Sequence, residues 1–123
     1  MRRAAVAGQF YEGTREALLR RLESCFSGIA RDEDEKVVGA VVPHAGYMYS
    51  GRVAAHAYAR LPKADTFVIL GPNHHLAGSA VAASRDTWST PLGAVEVDVE
   101  FVDALPRHII DVDETAHRYE HSI

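Results

Sequence analysis

Val37-Val38-Gly39-Ala40-Val41-Val42-Pro43-His44 is the stretch on which the fold turns. It opens with an uncharged run rich in β-branched side chains, and proline stops it one residue before a histidine. An unbroken apolar run with no alternation predicts a strand buried on both faces, the habit of parallel sheets. A second run, Thr66–Leu70, ends in Gly71-Pro72-Asn73-His74-His75. Between them, Arg52 to about Leu61 has helical spacing, with Val53, Ala57, Tyr58 and Leu61 on one side. Together these predict a βαβ unit whose two strands run parallel and adjacent, with a histidine-bearing loop after each. Pro43 and Pro72 would break the strands, since proline lacks the ladder donor.

Upstream, Thr14 is placed to cap a helix from Arg15 to about Phe26, with Leu18, Leu19, Leu22, Cys25 and Phe26 on its apolar face. The charged run from Arg31 to Lys36 reads as a solvated loop. Downstream, Ser79–Ser84 and Ala94–Asp98 read as short strands around a turn at Thr90-Pro91-Leu92-Gly93, open to antiparallel pairing. Asp98 caps a short helix to Leu105, and His108–Asp111 is a weak strand. Asp113 caps a last helix expected to carry His117 and His121 on one face. The fold class is α/β, expected as three layers around a mostly parallel or mixed central sheet, in a single domain over residues 1–123.

Composition excludes several functions. With 47% hydrophobic and 24% charged residues the chain has globular composition rather than that of a disordered segment. A net charge of -4 from interspersed acids and bases favours neither nucleic acid nor an anionic membrane. No apolar run approaches the length of a membrane span, and Met1-Arg2-Arg3 is followed by no signal-peptide core. A single cysteine, Cys25, allows no intramolecular disulfide, and the expected location is cytoplasmic.

Chemistry concentrates in the histidines. Ligands of α/β sheets bind beyond the carboxyl ends of strands. His44 and His74 stand just past the two predicted strands, so both imidazoles could reach one rim and begin a divalent metal site. Gly46 and Gly71 are expected to let the backbone turn there. The spacing alone is weak evidence, since any two loop histidines could be surface residues. His75, Tyr47 and Tyr49 are candidates for pocket lining or for packing. His56 reads as structural, His108 as surface, and Cys25 and Trp88 as packing.

Several segments together resemble the Memo family: Arg3-Ala4-Ala5-Val6-Ala7-Gly8-Gln9-Phe10-Tyr11, Pro43-His44-Ala45-Gly46-Tyr47, Ser50-Gly51, and Ala54-Ala55-His56-Ala57-Tyr58. Leu70-Gly71-Pro72-Asn73-His74-His75, Thr90-Pro91-Leu92-Gly93 and Glu120-His121-Ser122-Ile123 follow in family order. The resemblance implies a fold like that of class III extradiol dioxygenases, with His44 and His74 as metal ligands. It also implies that His75, Tyr47, Glu120 and His121 lie in the pocket or support the ligands. The third ligand, a cysteine or a glutamate, is expected beyond Ile123, and this chain reads as the N-terminal part of a longer domain. No residue is assigned a catalytic role. The implied cofactor is a divalent or redox metal, with iron expected first and copper or zinc as alternatives. The implied activity is redox or oxygen-linked; the alternative is a non-enzymatic metal- or peptide-binding protein. Expected partners are a small-molecule or peptide ligand, a radical-SAM protein and its associate, and neither nucleic acid nor membrane.

Overall fold

Local signals set most of the helix boundaries in the computed structural model, which describes residues 1–123. The chain divides into two compact units, a helical one (Val6–Phe67) and a mixed one (Met1–Ala5 with Val68–Ile123).

In the helical unit, Thr14 accepts a hydrogen bond from the Ala17 amide and starts α1, Arg15–Phe26. Side-chain capping satisfies one of the amides that a helix start leaves without an intrahelical acceptor. Leu18 and Cys25 are buried, whereas Leu19 and Phe26 stay partly exposed, so the inward face is narrower than the apolar pattern. A π-helical turn, Tyr47–Gly51, leads directly into α2, Arg52–Tyr58. Its buried positions are Ala55 and the capping Ala59; Val53 and Tyr58 point outward, a correction to the expected face. Small side chains on the packed face let α2 approach α1 closely. The same economy operates at Gly51, where any Cβ would stand 2.7 Å from Cys25 Sγ. The acidic loop is tied down: Arg60 donates to Asp32 (2.7 Å) and to Asp34 (3.1 Å), and the amides of both aspartates bond to carbonyls at the end of α2.

The two apolar runs do not become strands. Residues 37–42 and 66–70 are coil in no ladder, and Val38, Val41 and Leu70 are almost wholly exposed. The predicted parallel, adjacent pair and its central sheet are therefore corrected. A strand exists only where neighbouring backbone supplies its hydrogen bonds. An apolar run records a demand for burial on two faces without supplying either face. Pro43 and Pro72 consequently interrupt no ladder.

Pairing occurs instead in the mixed unit. β1 (Ala82–Ala83) pairs in parallel with β4 (Asp111–Val112), in the register Ala82 to Asp111. β2 (Trp88–Thr90) and β3 (Gly93–Val95) form an antiparallel hairpin around the expected turn, with Trp88 opposite Val95. The segment from Ser79 thus pairs with the chain after His108 and not with residues 94–98, because the hairpin closes on its own nearest neighbours. Asp98 caps α3 (Val99–Ala104) by accepting from the Phe101 amide, as its position predicted. Asp113 caps α4, which is only Glu114–His117. His121 lies beyond the end of α4, so the expected helical pair of His117 and His121 does not form. The class is α/β, with two small sheets, one parallel and one antiparallel. No helix is long and apolar enough to cross a membrane.

Candidate metal centre

Glu120 is the most buried acidic group, only 3% exposed, and it sits three residues past α4. A carboxylate out of water needs donors on both oxygens. Its Oε1 accepts from the Nδ1 of His74 (2.7 Å), the His121 amide (2.8 Å), and both the amide (3.0 Å) and hydroxyl (2.9 Å) of Ser122. Its Oε2 accepts from the His74 amide at 2.8 Å. Burial alone would push this carboxyl up. The bonds from His74, backbone and ring, and from the amides of His121 and Ser122 outweigh it and hold the group well below the usual carboxylate range. Glu120 is therefore an anion at neutral pH.

That anion settles the chemistry of His74. An ionised carboxylate has no proton to give, so Nδ1 of His74 carries the hydrogen and Nε2 is the ring's ligand atom. Metal-bound histidines usually donate the other ring N–H to a carboxylate, a backbone carbonyl or water, which fixes the tautomer and raises ligand basicity. The ring of His121 stacks on that of His74, with centroids 4.3 Å apart and planes inclined by 27°. His75 lies edge-on to His121 at 6.2 Å and to the exposed Tyr119 at 6.4 Å, forming an aromatic rim.

His74, Glu120 and His121 each offer a ligand atom, and these atoms fall within 4.8 Å of one another. Two donors on one ion, each about 2.1 Å from it, can be at most about 4.2 Å apart. Four donors already occupy Oε1 of Glu120. The arrangement suits one oriented imidazole with its supporting carboxylate better than three ligands closed on one ion.

The loop carrying His74 is held from two sides. Asn73 bonds to the carbonyl and amide of Ala77. At Gly71 a Cβ would meet Ser122 Oγ and Ile123 Cγ1 at 2.7 Å each. Neither Gly46 nor Gly71 has the positive φ that would require glycine, which corrects the turn argument. Gly71 is there for room.

The other candidates belong to the helical unit. His44 is exposed in the coil after residues 37–42. Tyr47 begins the π-helical turn, its ring 5.4 Å from that of Tyr11. Burial, then Tyr11, Tyr58, Cys25 and Glu12, raises the Tyr47 phenol, which stays neutral. His56, expected to be packed, is exposed on α2, and His108 is exposed as expected. A small cleft of about 140 Å³ is lined in part by Phe10, Glu12, Arg21 and Met48.

Arg2 is a further residue of consequence. Arg2 is only 8% exposed, and its guanidinium lies 4.2 Å from the Trp88 ring. It donates to the carbonyls of His117 (3.1 Å) and Glu120. A basic residue at a chain start gives no sign that it will be buried.

Fold and site define an α/β protein with a histidine oriented by a buried carboxylate. The chain matches the Memo-like protein family over residues 2–123 and belongs to that family. It is 58% identical to a MEMO1 family protein of Methanosarcina barkeri over 123 residues, 100% of this chain and 46% of the relative. A MEMO1 family protein of Archaeoglobus fulgidus is 54% identical, again over 100% of this chain and 46% of the relative. One from Methanocaldococcus jannaschii is 44% identical over 100% of this chain and 48% of its own length. The chain spans about half the length of the curated relatives it matches.

Proposed function

We propose that this chain contributes to a metal-binding site whose imidazole ligand is His74, acting through Nε2, in a protein of redox or oxygen-linked chemistry. The supporting observation is the grip of the buried Glu120 carboxylate on Nδ1 of His74. The donor set fits the group: an imidazole held in one tautomer suits iron, copper or zinc. When bound, such a metal would supply Lewis acidity and, if iron or copper, electron transfer. Glu120 orients the ligand. His121 limits rotation of the His74 ring by stacking, and His75 with Tyr119 offers polar, aromatic edges to a ligand. His44, assigned as a ligand by family resemblance, belongs to the helical unit, and the likeness to extradiol dioxygenases is part of the same proposal.

Titration with Fe(II), Cu(I) and Zn(II), followed by calorimetry, tests it. His74→Ala should abolish binding. Wild-type affinity in His74→Ala would defeat the proposal. Metal binding without turnover is the second reading, favoured by the exposed aromatic rim as a contact surface for a peptide. Oxygen uptake with a catechol separates the two.

A further inference from the structure

α4 has a single turn, too short to hold itself, because helices gain stability only beyond the costly first turn. Its position must come from outside, and Glu120 hangs from its end. At its start, the Asp113 cap and Glu114 do this: the Glu114 carboxylate accepts from Ser84 Oγ (2.7 Å) and from the amides of Arg85 (2.6 Å) and Asp86 (3.2 Å). At its finish the work falls to Arg2. The guanidinium fork takes one carbonyl from the last residue of α4, His117, and another from Glu120 itself. The fork is seated on Trp88, whose indole donates to Ser84 (3.0 Å) and whose ring meets His117 edge-on at 5.7 Å. The Arg2 backbone is pinned as well, with its amide bonded to Thr87 and its carbonyl to Ser89, both at 2.8 Å. One network therefore runs from the first residue of α4 through the hairpin to the peptide that carries the orienting carboxylate.

We propose that Arg2 is a positioning residue for the His74–Glu120 pair. It sets where the Glu120 backbone stands, and hence whether the carboxylate meets Nδ1 of His74. Lysine cannot replace it, since a single ammonium lacks the planar fork that reaches two carbonyls while stacking on an indole. The effect on metal affinity rests on the reading of His74 as a ligand; the effect on the imidazole does not.

The test uses this chain with ¹⁵N-labelled histidine, free of metal, and reads the ring-nitrogen shifts of His74. Arg2→Lys is expected to stay folded, to move His74 from a dominant Nδ1–H tautomer toward a mixture, and to weaken zinc(II) binding about tenfold, the low end for loss of a supporting contact. Arg2→Met, which keeps the stem against Trp88 without donors, should do the same. A tautomer change in a protein that binds no zinc even as wild type would uphold the positioning role and remove the metal reading. Unchanged His74 shifts in either folded variant would overturn the proposal. So would collapse of the circular-dichroism spectrum in both, which would make Arg2 a general anchor of the fold.

Discussion

Glu120 in the mixed unit and Glu12 in the helical unit each hold one nitrogen base, and there the likeness ends. Glu120 Oε1 takes the His74 imidazole together with two amides and a hydroxyl, while Oε2 takes a third amide. Glu12 Oε1 takes the Nε of Arg21 at 2.7 Å, and its Oε2 is buried with no partner. The bond from Arg21 lowers the Glu12 carboxyl, against the opposing pull of burial. The Glu120 anion is built into the backbone around it, whereas the Glu12 anion depends on one partly exposed side chain. A saturated carboxylate can define the geometry of its partner; a half-satisfied one can only neutralise it.

The sharpest break between them is expected on truncation. Glu120→Ala should cost about 3 kcal/mol or more in urea unfolding, because it strands donors that burial keeps from water. Glu12→Ala should cost about 1 kcal/mol or less, as for a partly exposed ion pair. Equal losses would mean that the donor web around Glu120 has no special energetic weight.

Acid is the next test. The folded-state carboxyl of Glu120 is depressed, so its stabilisation is complete above its ordinary value of 4.5 and fades as pH falls below it. Urea midpoints measured from about pH 7 to about pH 3 should fall for the wild type, and less steeply for Glu120→Gln. Parallel curves for the two proteins would refute the assignment.

Smaller effects sharpen the contrast. Arg21→Met should lower stability by about 0.5 kcal/mol, and high salt should erase the difference. Thr14→Ala, which removes the α1 cap from the same unit, should cost about 1 kcal/mol in thermal unfolding. A large Arg21 effect that survives salt would show that Glu12 is held as firmly as Glu120.

What could be read in advance followed from interaction range. Thr14, Asp98 and Asp113 cap the helices predicted for them, because a cap is settled within three residues. The turn at residues 90–93 closes its hairpin for the same reason. Residues 37–42 and 66–70 have the pattern of paired strands and stay unpaired, because apolarity says nothing of where a ladder partner will come from. At the site, His74, Glu120, His121 and His75 were singled out, chiefly through family resemblance, and they do gather in one unit. The bond that gives Glu120 its meaning joins residues far apart in sequence, and Arg2 reaches further still. Neither contact leaves a local mark.

Gly71 has a genetic consequence. Its bare Cα makes room for Ser122 and Ile123, so a change at this codon presses on the segment that bonds Glu120. Gly71→Ala should therefore imitate a defect in Glu120, with the His74 nitrogen shifts disturbed although no polar atom has been removed. Suppressors of such an allele are expected at position 123, where Ile123→Ala would return space without taking the Ser122 hydroxyl from Glu120. The two positions should behave as one locus under selection, and a screen recovering suppressors only elsewhere would show that they do not.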